Sequence, residues 1–248
     1  MKNFTCFVLT TFLLLVVPLS SYSGSLDRAK EAYLYGDYNE AIRICQEIVE
    51  IKLSDEVLYF LALSYFKLGE YEKARDYFRY LLKEFKHSSV YETALVKLVD
   101  TYFLENNLDK AEGLYRSILE KYPSLNYKPL VYLRLAQVSA KKGRWSEEKK
   151  YLTLITENYK GSVESKLAQR LSQRGYFFTI QVGAFSKRDN ALTYSREFKY
   201  KYPVYIVEEE DQDLVLYKVR VGKYKTRKQA EEIYQELAEK GYPARIYP

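Results

Sequence analysis

Four short stretches of this chain follow one template. "YGDYNEAI" begins at Tyr35, "LGEYEKAR" at Leu68, "ENNLDKAE" at Glu105 and "KGRWSEEK" at Lys142. Each reads as a turn residue, an aromatic or Leu, a charged residue and then a small one. The turn positions, Gly36, Gly69, Asn106 and Gly143, are separated by 33, 37 and 37 residues. Apolar residues flank each turn at helical spacing, so the period predicts pairs of amphipathic helices repeated along residues 26–172. Gly at a turn avoids a side-chain clash, and Asn tolerates the left-handed conformation, so all four positions suit a helix–turn–helix bend. Ala41, Ala74 and Ala111 let the second helix of a pair approach the first, while Tyr38, Tyr71, Leu108 and Trp145 fill the bend.

This pattern resembles the tetratricopeptide repeat family. The fourth register departs from it, because Glu148 stands where the small residue belongs; this loosens the packing there or marks a terminal repeat, which such arrays require. "SVESKLAQRLSQ" from Ser162 then predicts a capping helix, and Pro123 and Pro129 bracket the longest connection between repeats. The resemblance implies a concave groove lined by the first helices of the pairs, with Tyr33, Tyr59, Leu63, Phe66 and Phe103 towards it as core or as a surface for a protein partner. Arrays of this kind bind many unrelated partners, so the repeats define a fold more than a function.

From Tyr176 onward the period changes. "FFTIQVGAF" alternates in period two and predicts a strand closed by Gly183, and residues 187–201 place Ala191, Tyr194 and Phe198 on one helical stripe. "VYIVEEE" from Val204 and "LVLYKVRVG" from Leu214 predict a hairpin with an acidic tip. "TRKQAEEIYQELAEKG" from Thr226 predicts a helix, and "ARIY" from Ala244 a closing strand. The order is strand–helix–strand twice. It explains why "IQVGAFSKRDNA" at Ile180 and "VRVGKYKTRKQA" at Val219 look alike: each is a strand-to-helix corner, with Val-Gly at the strand end, an aromatic plug and an Ala against the sheet. A split βαβ unit follows, with four antiparallel strands, both helices on one face and the two corner strands as central neighbours.

Alternation decides what the other face presents. Phe178, Ile180 and Val182 point to the helices, which leaves Thr179 and Gln181 outward; Tyr217, Val219 and Val221 point inward, which leaves Leu216, Lys218 and Arg220 outward. Gln181 and Arg220 hold equivalent corner positions on adjacent strands, where β-branched residues would serve stability better. Residues 176–248 resemble the SPOR (sporulation-related repeat) domain family, carried by "FTIQVGAF", "YKVRVGKYKTRKQAEEIYQEL" and "GYPARIY". The resemblance implies that the open face binds peptidoglycan glycan strands stripped of their peptide stems at division septa. It makes Gln181 and Arg220 recognition positions, with Thr179, Lys218 and Tyr205 as neighbours. Ala184 stands where many members have Ser, which removes one hydroxyl. The competing reading is that Arg220 only pairs with Glu208 or Glu209 across the sheet.

The fold expected is therefore an all-α helical-repeat superhelix (residues 26–172) followed by a small α+β SPOR domain (residues 176–248). Residues 1–23 read as an export signal, with Lys2, the apolar run "FVLTTFLLLVVP" and Ser21-Tyr22-Ser23 before Gly24. That run is shorter than the roughly 20 residues of a membrane span, so cleavage is expected, with a retained anchor as the alternative. The mature product is then expected in the periplasm or cell envelope. Cys6 would leave with the signal, and Cys45, spaced helically with Ile42, Ile44 and Ile48, reads as a small buried hydrophobe.

The net charge of +6 is mild, because acids and bases are interspersed. His87 is the sole histidine, which removes His-based triads and most zinc sites; no catalytic residue, metal or cofactor is expected. "EEEDQD" from Glu208 suits a solvated hairpin tip better than the paired carboxylates of a cell-wall hydrolase. A nucleic-acid reader built on a similar sheet would need aromatics on the two central strands. The last alternative is an envelope scaffold in which the repeats carry the biology and the C-terminal domain only localises it.

Overall fold

The computed structural model describes residues 19–211 and 214–248. Residues 1–18, and with them Cys6 and most of the expected export signal, lie outside the described residues. Among the described residues, no helix is long and apolar enough to cross a membrane.

The predicted helix pairs form. They are α1 (Leu19–Leu34) with α2 (Tyr38–Ile51), α3 (Asp55–Lys67) with α4 (Tyr71–Glu84), α5 (Tyr91–Leu104) with α6 (Leu108–Lys121), and α7 (Lys128–Lys141) with α8 (Trp145–Asn158); α9 (Val163–Ser172) follows. The turn residues all adopt the left-handed backbone, with φ of 82° at Gly36, 80° at Gly69, 61° at Asn106 and 72° at Gly143. At each turn the next residue's N–H reaches back to a carbonyl five residues earlier, as Asp37 does to Ala32 and Arg144 to Ser139, which closes the helix end. The small residues Ala41, Ala74 and Ala111 are fully buried.

By compactness the chain divides into residues 1–101 and 102–248. In the first unit, Leu58, Leu61, Phe78 and Leu81 form the centre of a core that also takes in Cys45, whose thiol burial pushes up to about 12. A thiol held neutral in this way behaves as the small hydrophobe expected.

In the second unit the last repeats lead directly into the sheet. Glu148 is 1% exposed and pairs with Arg174, whose Nη1 also donates to the Pro248 main-chain oxygen at 3.2 Å. The misfit in the fourth register is thus an ion-pair anchor for the segment after α9. Burial raises the Glu148 carboxyl above the usual range, and Arg174 opposes that rise. Trp145 packs on Phe178 with ring centroids 5.0 Å apart, and a Cβ added to Gly143 would lie 3.1 Å from the Phe178 ring. Arg227 Nη1 donates to the Lys141 carbonyl at 3.1 Å.

The sheet consists of β1 (Phe178–Phe185), β2 (Val204–Asp211), β3 (Leu214–Tyr224) and β4 (Arg245–Tyr247), all antiparallel in the order β2-β3-β1-β4. The corner strands β1 and β3 are central, as predicted. Helices α10 (Arg188–Ser195) and α11 (Arg227–Glu239) complete the unit, and Thr226 with Gln229 forms a reciprocal capping box. Ile180, Val182, Val219 and Val221 pack with Ala191, Phe198 and Leu237 as the inner core.

Two local expectations change. Helix α10 stops at Ser195 instead of continuing to 201, because Arg196 and Phe198 donate to carbonyls three residues back and tighten the chain into turns. Neither strand ends at its glycine: β1 runs to Phe185 and β3 to Tyr224, with register irregularities beside Gly183 and Gly222.

Gly143→Ala is expected to cost more than Gly69→Ala in urea unfolding. Both introduce a Cβ at positive φ, a term of about 1–2 kcal/mol, but only at Gly143 does it also meet a buried ring. Arg174→Met leaves Glu148 buried without its cation. A carboxyl raised in the folded state holds a proton that the unfolded chain has lost, so stability falls as pH climbs from the ordinary carboxylate value through the folded one. The variant should therefore lose more stability between pH 5 and pH 8 than the parent does, read as the midpoint of urea unfolding.

Candidate glycan-binding face

Register places the predicted residues on one face. Gln181 on β1 stands opposite Arg220 on β3, Arg220 opposite Tyr205 on β2, and Gln181 opposite Arg245 on β4. Residues directly opposite in an antiparallel pair share a face, so Tyr205, Arg220, Gln181 and Arg245 form one row across all four strands. Lys218 stands opposite Val207 and Ala184, and Thr179 opposite Tyr247, on the same face.

The irregularity in β1 changes the phase after Gln181. Strict alternation would send Ala184 inward and Phe185 outward. The extra residue at Val182 instead pairs Ala184 with Lys218 and Phe185 with Tyr217, so Ala184 faces out and Phe185 joins the core. The position at which many related domains carry Ser is therefore on the open face of this one.

Polar satisfaction is incomplete on this face. Gln181 Oε1 and Arg220 Nε are both buried and have no hydrogen-bond partner among the described residues. Buried polar groups are nearly always paired in folded proteins, and these two stand on neighbouring central strands at positions directly opposite each other. Glu209 takes Lys218 at 2.7 Å and reaches Arg220 only at 3.9 Å, so the cross-sheet carboxylate engages mainly the neighbour.

Aromatic rings frame the pair. Tyr247 lies under both Arg220 and Arg245, with guanidinium carbons 5.3 and 5.5 Å from the ring centroid, and Lys223 Nζ sits 5.0 Å from the Phe177 ring and 5.1 Å from that of Tyr205. Thr179 differs from expectation. It is 1% exposed; its hydroxyl donates to the Val221 carbonyl at 3.2 Å and accepts from Tyr205 at 2.8 Å. Both of its hydrogen-bonding roles are taken, so it positions Tyr205 from below and presents nothing to a ligand.

Arg245, Tyr247, Lys223 and Phe177 were missed by sequence reasoning. Alternation in "ARIY" carried the signal for the first two, since Arg245 and Tyr247 flank the inward Ile246. The residues expected to face the repeat groove divide. Tyr33, Tyr59 and Phe66 are half-buried, with Tyr33 against Tyr38 and Phe60, Tyr59 against Phe60 and Phe78, and Lys97 over Phe66. Leu63, 7% exposed, is core. Phe103, 9% exposed, belongs to the second unit and lies beneath Arg134 and Lys141.

With the geometry in place, comparison with known proteins is direct. Residues 174–247 match the SPOR domain, and residues 22–89 and 59–126 match the tetratricopeptide repeat. The chain thus carries tetratricopeptide repeats followed by a SPOR domain. The repeat matches end at residue 126, before the register in which Glu148 replaces the small residue.

No curated protein matches the chain significantly. Solved structures with similar folds include MamA (21% identity, 61% of this chain and 80% of that one, TM-score 0.46). Pseudomonas aeruginosa pilF (16%, 60% and 66%, 0.45) and a Podosopora anserina putative kinesin light chain (12%, 74% and 88%, 0.46) are also similar. SPOR domains bind peptidoglycan and tetratricopeptide repeats bind proteins, so this SPOR-domain protein has a binding role in the cell envelope; neither matched family is catalytic.

Thr179→Val keeps the shape and removes the hydroxyl. It should lower stability by about 0.5–1.5 kcal/mol in urea unfolding and release Tyr205, seen as altered ring resonances by NMR.

Proposed function

We propose that this SPOR-domain protein binds peptidoglycan glycan strands stripped of their peptides, on the outward row of its sheet, and holds a protein partner on its repeats in cell division or cell-wall remodelling. The observation that carries the reading is the couple of Gln181 and Arg220, directly opposite each other on the central strands within the row from Tyr205 to Arg245. A glycan offers hydroxyls and acetamido groups that complement such a couple, and its sugar rings have weakly apolar faces that suit an aromatic ring such as Tyr205. Lys218 and Arg245 extend the polar row, and Thr179 holds Tyr205 in place.

A shallow site of this kind gives modest affinity, because each exposed hydrogen bond nets only about 0.5–1.5 kcal/mol. A bulky peptide on every second sugar would keep a flat face from approaching the strand, which favours stripped glycan. Export by a signal at residues 1–23 would bring the protein to the envelope, and stripped strands would concentrate it at the septum. The half-buried aromatics Tyr33, Tyr59 and Phe66 give the repeats an apolar surface suited to a protein segment.

Combining Gln181→Ala with Arg220→Glu should abolish co-sedimentation with amidase-treated sacculi while circular dichroism stays unchanged. Sedimentation at the parental level would reject this site.

A further inference from the structure

A cleft of about 520 Å³ runs along β4, the edge strand, beside the row just described. Its walls come from both parts of the second unit: Asn106 and Lys141 from the repeats, Arg227 and Tyr234 from α11, and Arg245 and Tyr247 from β4. The volume falls within the range of about 300–1,000 Å³ typical of small-molecule sites.

The charges on this lining are unbalanced. Lys141, Arg227 and Arg245 contribute three cations. Among the described residues, Glu231 is the one acidic side chain on the lining, and it is engaged by Arg227 at 2.7 Å; the Pro248 main-chain oxygen is taken by Arg174. Lys141 lies over Phe103, with Nζ 4.7 Å from the ring centroid, and makes no ion pair among the described residues. Burial and the nearby Arg245 and Arg227 lower the pKa of its ammonium group. Three like charges brought together by packing, with one acid among them, favour an incoming anion.

We propose that this cleft is a carboxylate subsite for the glycan strand, in which Lys141 and Arg245 receive the lactyl carboxylate of a peptide-free muramic acid residue. The inference rests on the glycan reading of the sheet. Removing the peptide converts an amide into a free carboxylate, so a stripped strand is an acid where an intact strand is neutral at that atom. Arg245, on the edge strand, belongs to both the sheet row and the cleft lining. Lys141 lies in α7, outside the SPOR match, so the last repeat takes part in choosing the ligand.

The test uses the full chain and two preparations of amidase-stripped sacculi, one untreated and one with its carboxylates capped by methylamine and carbodiimide. The parent should bind the capped sacculi about tenfold more weakly, the scale of one charge-assisted hydrogen bond. Lys141→Met, which keeps the stem over Phe103, should narrow that preference to about threefold at most. Equal binding of the two preparations by the parent, or an unchanged preference in a folded Lys141→Met, overturns the subsite and leaves the glycan reading intact.

If the parent binds neither preparation, the glycan reading fails, and free N-acetylmuramic acid decides the subsite. Backbone amide shifts at Lys141 and Arg245 with this acid, and not with N-acetylglucosamine or glycerol phosphate, support a carboxylate site. No shifts, or equal shifts with glycerol phosphate, overturn it.

Discussion

The seating of the sheet on the last repeat depends on one backbone torsion. Gly143 closes the fourth helix pair in the left-handed conformation, and the hydrogen it carries in place of a side chain leaves room for the buried Phe178 ring. Trp145, two residues on, covers the same ring, and Glu148, one turn further, holds Arg174. Six residues, 143–148, thus end one fold and seat the next. The ion pair explains why a carboxylate occupies a position that suits Ala elsewhere. In the first three pairs that position packs helix on helix; in the fourth it anchors the chain that leads into β1. A buried pair of this kind is costly to desolvate and more costly to break, so it favours one arrangement of the segment over many loose ones.

The sheet has two faces governed by different physics. Its inner side is an ordinary apolar core, in which Ile180, Val182, Val219 and Val221 meet α10 and α11. Its outer side combines cations with aromatic rings. Tyr247 beneath two guanidinium groups and Tyr205 hydrogen-bonded to Thr179 hold the long cationic side chains in place before any ligand arrives. Pre-ordering of this kind lowers the entropic cost of binding, which matters for a site without a deep pocket. The bulge at Val182 is part of the same arrangement. It brings Phe185 into the core and turns Ala184 out, so the row keeps its register while the corner is plugged.

Much of this was legible in the sequence because it is local. Helical pairs show in the period of turn residues, and left-handed backbone was predictable where Gly or Asn stood at a fixed offset from an apolar run. Alternation assigned Gln181, Lys218 and Arg220 to the outer face correctly, since a side chain's face in a regular strand depends only on its parity. Parity failed at the bulge, where one extra residue exchanges the two faces for Ala184 and Phe185. It also could not separate Thr179, which shares the face but is sealed by Tyr205 from two strands away.

The sequence by itself therefore determined the helical repeats, the order of strands and helices, and the polar identity of the open face. All of these follow from spacings within an element or from a pattern that recurs along the chain. Only the tertiary structure decided that Glu148 meets Arg174, that Phe178 lies under Trp145, that Arg245 completes the row with Gln181, and that Lys141 approaches Arg227 and Arg245. Those partners lie 26 to 104 residues apart. These partners belong to different elements and to no common repeat, and their meeting is fixed by packing of whole elements, with burial and charge acting on groups that sequence alone leaves independent.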